Sequence, residues 1–326
     1  MNTLLKIMAV LGLMVGISTS AYAEKLIIGT FGDPTPVQAA IAQGKFAKAT
    51  GWDIEWRKFE SGAGVISAMA SGDVQISELG SSPLAIATSR GEDIKLFLVS
   101  FLIGTSESLI VRNGTGIDKP ADLKGKVIGV PIGSTSQLSL TGAMKHWGIS
   151  EKDVRILGMS PQQINAAWAR KDIDAAFVWN PIQSELLKTG KRLVSAGQVA
   201  KWGYPTFNGW VVNSEFAAKH AKSLTAFAKA MNQANADYLD NKSKWTADSA
   251  PVERIAQRTG AKAAQIPEIL EGFTFLTASQ QVDWLSEHAA DALKKTAVFL
   301  KSSGRIDSVG EDFNKFVDVS VAKSAQ

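Results

Sequence analysis

The sequence predicts an α/β protein of two similar lobes, each a parallel sheet covered by helices, with a ligand cleft between them. Three observations predict it. Short Val- and Ile-rich runs alternate with helical patterns across short connections, the signature of strand–helix–strand units. Ala68-Met-Ala-Ser-Gly-Asp-Val-Gln-Ile76 and Ala167-Trp-Ala-Arg-Lys-Asp-Ile-Asp-Ala175 share the frame Ala-x-Ala-x-x-Asp before an apolar run, so one lobe is written twice, unless Ala-rich helices ending near Asp coincide by chance. Polar, Gly-containing text at Asn113-Gly-Thr-Gly116 and an apolar run at Asn208–Val212 mark two crossings between lobes.

Taken in order, residues 1–23 stand apart. Lys6, the apolar run Ile7–Ile17 and the small residues of Ala21-Tyr-Ala23 read as a secretory signal peptide cleaved after Ala23, the run being too short for a membrane span. Lys25–Gly29 is the first strand, and the turn-rich Thr30-Phe-Gly-Asp-Pro-Thr-Pro36 leads to a helix over 37–50. Asp53–Phe59 is the second strand, and Ser61-Gly-Ala-Gly64 opens another helix. Ser106–Arg112 is a strand that ends the first stretch of lobe 1. The division expected is 24–111 with 209–326 for a discontinuous lobe 1 and 112–208 for lobe 2. Beyond Glu215 the text is mainly helical, with apolar positions three and four apart in Leu224–Met231 and Val282–Leu293 that suit packing on their own lobe.

Composition bounds the function. The chain has 326 residues, 45% hydrophobic and 20% charged, an ordinary globular balance long enough for two domains. Export without any cysteine excludes disulfides, thiol catalysis and Cys-type metal sites, and leaves no residue for a lipid anchor, so the protein is expected free in a periplasm. The net charge of +4 is scattered rather than clustered, which argues against nucleic acid.

Enzymatic constellations fail in turn. His146, His220 and His288 are far apart with no metal-ligand spacing. Gly62-Ala-Gly-Val-Ile-Ser67 lacks the third glycine of a dinucleotide loop and reads as a tight turn. Gly104-Thr-Ser-Glu-Ser108 lacks the last glycine of a nucleophile elbow, and Gly125-Lys126 runs into Val127 where a phosphate loop needs Ser or Thr. No catalytic residue, metal or cofactor is expected.

What remains is a site that holds without transforming. In Lys126–Gln137 a strand feeds a helix through Gly133, Ser134, Thr135 and Ser136, leaving N–H groups in the positive field of a helix start, an anion seat unless the hydroxyls merely cap the helix. Gly80, Ser81 and Ser82 offer the same chemistry in the other lobe, with Ser106 beside the crossing and Asn208 at the return. Asp33, Glu78 and Glu107 suit a cation, and Phe31 and Trp179 could wall it, a ring face over an ammonium adding about 0.5 to 2 kcal/mol. Plainer uses stay open: Trp179 as core, Glu107 paired with an Arg, Asp33 as a turn residue before Pro34. The ligand so described is small and carries both charges.

The runs Trp56-Arg-Lys-Phe59, Ala70–Ile76, Leu79-Gly-Ser-Ser-Pro-Leu-Ala85, Lys145-His-Trp-Gly-Ile149, Ala166-Ala-Trp168, Asp172-Ile-Asp174 and Val178-Trp179 resemble the substrate-binding proteins of taurine ABC importers, in the wider aliphatic-sulfonate and nitrate binding group. The resemblance covers nearly the whole mature chain. It implies a type II periplasmic binding fold, two α/β lobes with a hinge, a monomer, and delivery of a sulfonate to a membrane permease driven by a cytoplasmic ATPase. It also implies sulfonate contacts at Ser134 and Thr135. Two departures bear on the ligand: the group carries an Asp near Trp210 that helps hold an ammonium, where this chain has Asn208, and an Asn where this chain has Glu78. These departures imply that Glu78 takes over the ammonium. The loop Thr30–Pro36 also differs, which leaves larger or methylated amine sulfonates, sulfate esters and nitrate as further ligands. The fold resembles the pyrimidine synthases of thiamine biosynthesis too, but those use a cysteine-containing motif. A ligand sensor would need a membrane span, which nothing in the sequence supplies.

Overall fold

The computed structural model describes residues 25–326, and the leader expected over 1–23 lies outside them. β1 (Lys25–Thr30) buries Leu26 and Ile28 on alternate positions. The helix expected over 37–50 is two, α1 (Pro36–Ala42) and α2 (Lys45–Thr50), because Gly44 adopts φ +66, a left-handed conformation that ends a helix. β2 (Asp53–Lys58) and α3 (Gly62–Ala70) follow, then β3 (Ile76–Gly80), buried along its length, and α4 (Ser81–Ser89). β4 (Ile94–Ile103) and β5 (Glu107–Arg112) come next. The second unit runs β6 (Val127–Val130), α5 (Thr135–His146), β7 (Arg155–Gly158), α6 (Pro161–Arg170), β8 (Ala175–Trp179), α7 (Ile182–Leu186), β9 (Gly190–Ser195) and α8 (Ala196–Lys201). After β10 (Phe207–Asn213) the helices α9 (Ser214–Lys219), α10 (Ala221–Leu239), α11 (Ala250–Thr259) and α12 (Ile266–Glu271) lead to the short β11 (Phe273–Thr274). The helices α13 (Ala278–Glu287), α14 (Ala289–Ser302) and α15 (Val319–Ser324) complete the described chain.

The strands form two sheets, in the orders β11-β4-β10-β3-β1-β2 and β7-β6-β8-β5-β9. Each has a parallel trio at one end and antiparallel strands beside it, so the sheets are mixed where parallel ones were expected. The internal echo has a structural counterpart: an offset of 99 positions (76 to 175) carries β3 onto β8 and the start of α1 onto the start of α5. Because β5 pairs with β8 and β9, strand membership changes before Glu107. Residues up to 111 were expected in lobe 1; the continuous apolar run Leu109-Ile-Val111 fits either sheet, and only the pairing decides. The return likewise precedes 209, since Phe207 and Asn208 already pair with β4.

One large core packs on the first sheet, with Trp210 wholly buried and its ring 5.1 Å from that of Phe227. A second core joins β5, β6 and α5 to α11 and α12. Losing a buried aromatic of this kind costs about 3–5 kcal/mol. Where the chain passes between sheets, backbones meet directly: the amides of Gly104 and Ser106 donate to the carbonyl of Gly272 at 3.0 and 3.3 Å, and Gly197 N donates to Gly104 O at 2.9 Å. A Cβ on Gly104 would stand 2.6 Å from that carbonyl, so the approach requires glycine.

Candidate ligand-binding cleft

Strand ends and helix starts of both lobes converge on a cleft that spans about 520 Å3 including its opening to solvent. The first lobe contributes Phe31, Asp33, Ser61, Gly62, Gly80, Pro83, Phe101 and Asn208; the second contributes Glu107, Pro131, Ile132, Ser134, Thr135 and Trp179, and Phe273 comes from β11. Three helices begin here, each leaving backbone N–H groups with no intrahelical acceptor. In α3 the Ser61 hydroxyl accepts from Gly64 N at 3.2 Å, and in α5 the Ser134 hydroxyl accepts from Gln137 N at 3.1 Å. By contrast α4 has Gly80 at its cap with no side-chain acceptor, and Pro83 lacks an N–H, so Ser81 and Ser82 open the helix uncapped. The starts of α3 and α4 abut, since a Cβ on Gly62 would fall 2.4 Å from Pro83 Cβ. Together they form a concentration of donors on one side of the cleft.

Three buried carboxylates stand nearby, none in an ion pair among the described residues. Glu107 accepts from Thr135 Oγ1 at 2.7 Å and Ser136 Oγ at 3.1 Å, and burial pushes its carboxyl up to about 7 against the pull of those two bonds. Burial first, then the charges of Glu78 and Glu107, holds Asp33 well above the ordinary aspartate range, while Lys58 draws it down. Asp33 Oδ2 accepts from Asn208 Nδ2 at 3.4 Å. Burial also raises Glu78, opposed by bonds from Thr30 Oγ1 at 2.6 Å, Ser100 Oγ at 2.8 Å and Phe31 N at 3.3 Å.

Of the residues expected at the site, Phe31, Asp33, Gly80, Glu107, Ser134, Thr135, Trp179 and Asn208 line the cleft. Glu78 does not: it is buried, and its oxygens accept from Thr30, Ser100 and Phe31 N rather than facing the cleft lining. Ser81 Oγ accepts from Phe207 N at 3.3 Å, and Ser136 faces Glu107. Ser82 Oγ donates across the cleft to Gly133 O at 3.3 Å, so it ties the lobes together. Ser106 turns to the opposite side of the crossing segment. Sequence reasoning missed Ser61 and Gly62, whose turn was recognised without being assigned to the cleft, and Phe101, Pro131, Ile132 and Phe273, which carry no local signal. The Ser134 hydroxyl is spent within its own loop, on Pro131 O at 2.6 Å and Gln137 N, and the α5 hydroxyls that looked like anion donors are engaged by Glu107. The histidines lie elsewhere and apart: His146 stacks on Trp202 and His220 on Phe216, at helix ends. No group of three or more potential metal ligands occurs among the described residues.

Comparison with known proteins adds the relatives. A family described as NMT1/THI5 like matches residues 33–244. The taurine-binding periplasmic protein of Escherichia coli (strain K12) is 40% identical over 316 residues, 97% of this chain and 96% of that one. A putative aliphatic sulfonates-binding protein of Bacillus subtilis (strain 168) is 26% identical, over 65% of this chain and 64% of its own length. Among solved structures, the alkanesulfonate-binding protein SsuA from Xanthomonas axonopodis pv. citri, bound to MOPS, superposes with a TM-score of 0.73 at 19% identity, covering 91% of this chain and 99% of that one. The fold is therefore the two-lobed α/β periplasmic-binding-protein architecture that the sequence led us to expect.

Proposed function

The chain belongs to the NMT1/THI5 like family, and from that premise we propose that it is the periplasmic substrate-binding component of an ABC importer, capturing taurine or a related small sulfonate between its lobes. The observation that carries this reading is a cleft with the abutting starts of α3 and α4, the latter uncapped, on one side and two buried carboxylates without an ion pair among the described residues, Asp33 and Glu107, one from each lobe. The sulfonate goes to the amides at the abutting starts of α3 and α4, around Gly62, Ser81 and Ser82, because Glu107 already brings negative charge to the start of α5. Its ammonium goes between Asp33 and Glu107, with Phe31 and Trp179 beside it.

Closure follows from the same charges. Ionised Asp33 and Glu107 repel while the cleft holds no cation, and an ammonium between them converts that repulsion into attraction, so the closed form is favoured when a zwitterion is bound. One helix start contributes only about 0.3 to 2 kcal/mol toward an anion, whereas micromolar binding needs about 8 kcal/mol, so both lobes must contribute. The lobes as proposed exchange strands at 104–106 and between α8 and β10. The leader over 1–23, cleaved after Ala23, delivers a monomer to the periplasm, where the closed form hands its ligand to a membrane permease powered by a cytoplasmic ATPase. An enzymatic role is not favoured by the relatives, which are binding proteins by name.

Calorimetric titration with taurine, N-methyltaurine and ethanesulfonate tests this. Taurine should bind about a hundredfold more tightly than ethanesulfonate, which lacks the ammonium. Equal affinities, or no binding of any sulfonate, overturn the proposal.

A further inference from the structure

Behind the cleft lies a second, partly open cavity that shares a wall with the first. The wall is built from three segments whose adjacent residues face opposite ways. Glu107, Trp179 and Phe273 line the front cleft, while their neighbours Ser106, Asn180 and Gly272 line the rear cavity. A ladder-type bond from Asn180 N to Ser106 O at 3.2 Å continues the β5–β8 pairing, so the alternation is that of extended strands.

The rear cavity is polar. On its floor Ser106 and Gln183 are almost fully buried, at 1% and 2% exposure, and the Ser106 hydroxyl and the Gln183 side-chain oxygen have no hydrogen-bond partner. Gln183 Nε2 donates to Thr105 O at 2.9 Å, which fixes the amide so that its oxygen is the unpaired end. The oxygen of Gln265 is buried and unpaired as well. Such orphans are costly unless something in the cavity meets them. Exposed Arg192 and Glu268 also line the cavity, and neither forms an ion pair among the described residues; Arg192 Nε donates to Ser108 Oγ at 2.9 Å, leaving the ends of its guanidinium uncommitted.

We propose that this rear cavity is a second binding site, for a small zwitterion of amino-acid size with N–H donors. A simple anion would meet Glu268 and a simple cation Arg192, whereas an apolar molecule would strand the floor oxygens. A zwitterion places its anionic group on Arg192 and its ammonium among the acceptors of Gln183, Gln265 and Glu268. Since Thr105 and Ser106 belong to the segment joining the two sheets, an occupant here touches the chain that must move when the lobes open.

The test is a titration of isotope-labelled exported chain, residues 24–326, followed by amide chemical shifts, with glycine as the probe and glycine betaine as a control of the same charges and no N–H donors. Glycine should give saturable shifts at Thr105, Ser106, Gln183 and Gly272. Arg192→Gln, a surface change that leaves the fold intact, should weaken them about tenfold. Ser106→Ala should weaken them about threefold, read alongside a thermal melt to show that the variant is folded. Absence of saturable shifts at the rear, equal response to betaine, or an unchanged response in Arg192→Gln overturns the assignment. Shifts confined to Asp33, Glu107 and Thr135 would mean that glycine enters only the front cleft and would overturn it too.

Discussion

The same corner of the two lobes is built with its charges exchanged. In the first lobe Asn208, opposite Gly80 on β3, donates to Asp33 in the loop before α1. In the second lobe Glu107, opposite Trp179 on β8, accepts from Thr135 and Ser136 at the start of α5. Gly80 and Trp179 are themselves related by the internal offset of 99 positions (80 to 179), so Asn208 and Glu107 are equivalent positions. The strand carries the amide in one lobe and the carboxylate in the other, and the loop or helix start supplies the complement. Each lobe thus presents one acid to the cleft. In the first lobe the acid is Asp33, held by the amide of Asn208.

The largest effect comes from removing one side of this pair. Glu107→Gln should weaken taurine about a hundredfold and leave ethanesulfonate unchanged or improved, because a buried partner of the ammonium is lost while the anion seat is intact. Glu78→Gln, buried off the cleft lining, should shift affinity by no more than about twofold and act on stability instead. Calorimetry on both variants decides: similar losses of taurine affinity would mean that Glu78 reaches the ligand after all.

Next in size is the response to pH. A carboxyl held near 7 in the native state, against 4.5 when unperturbed, keeps its proton in the folded form where the unfolded chain has released it. Stability of the ligand-free protein from this group is therefore greatest below pH 4.5 and is lost as pH rises through 7, a trend of at most about 3 kcal/mol. Asp33 and Glu78 are raised in the same direction and reinforce it. Taurine affinity should run the other way, rising up to about tenfold per pH unit toward 7 as Glu107 ionises to receive the ammonium. Urea unfolding and calorimetry across that range should give opposite slopes, and parallel slopes would break the pairing of Glu107 with the ammonium. In Glu107→Gln the affinity profile should flatten.

A smaller effect tests the anion side. Gly62→Ala forces a Cβ to within 2.4 Å of Pro83, so the starts of α3 and α4 must separate. Overpacking of this kind costs about 1–3 kcal/mol. If the sulfonate sits on those amides, taurine and ethanesulfonate should both weaken by about the same factor, roughly fivefold or more. A loss confined to taurine would move the anion seat elsewhere.

The division between legible and hidden follows the range of the interactions. Strands, helix starts and the repeated lobe could be read from the sequence because hydrophobic period, Ser caps and the Ala-x-Ala-x-x-Asp frame act within a few residues. The lobe crossing could not, since the apolar run Leu109-Ile-Val111 within Ser106–Arg112 suits a buried strand of either sheet. At the site, the local pattern shows where hydroxyls and acids stand but not which groups they bond. Thr135 and Ser136 were visible as hydroxyls at a helix start, yet nothing local says that Glu107, 28 and 29 positions away, takes both of them. Glu78 looked like a free carboxylate until Thr30 and Ser100 were brought to its two oxygens by β1 and β4. Phe273 joined the cleft through a two-residue strand that no pattern announces.

The smallest expected effect separates closure from recognition. Ser82 was read as a ligand donor, but its hydroxyl crosses the cleft to Gly133 O at 3.3 Å, at the lip of the loop that precedes α5. Its backbone amide can still face the anion while the side chain holds the lobes together. Ser82→Ala removes the hydroxyl and keeps the amide, so it should cost about 0.5–1 kcal/mol of closure and weaken taurine about threefold. The loss should appear in the dissociation rate rather than the association rate, because the bond forms only after the lobes have met. It should also be the same for ethanesulfonate, since neither ligand end touches the hydroxyl. Stopped-flow fluorescence, with Trp179 in the cleft wall as reporter, can follow both rates. A change in association alone, or a loss that depends on the ammonium, would return Ser82 to the ligand and leave the two acids of Asp33 and Glu107 as the force that shuts the cleft.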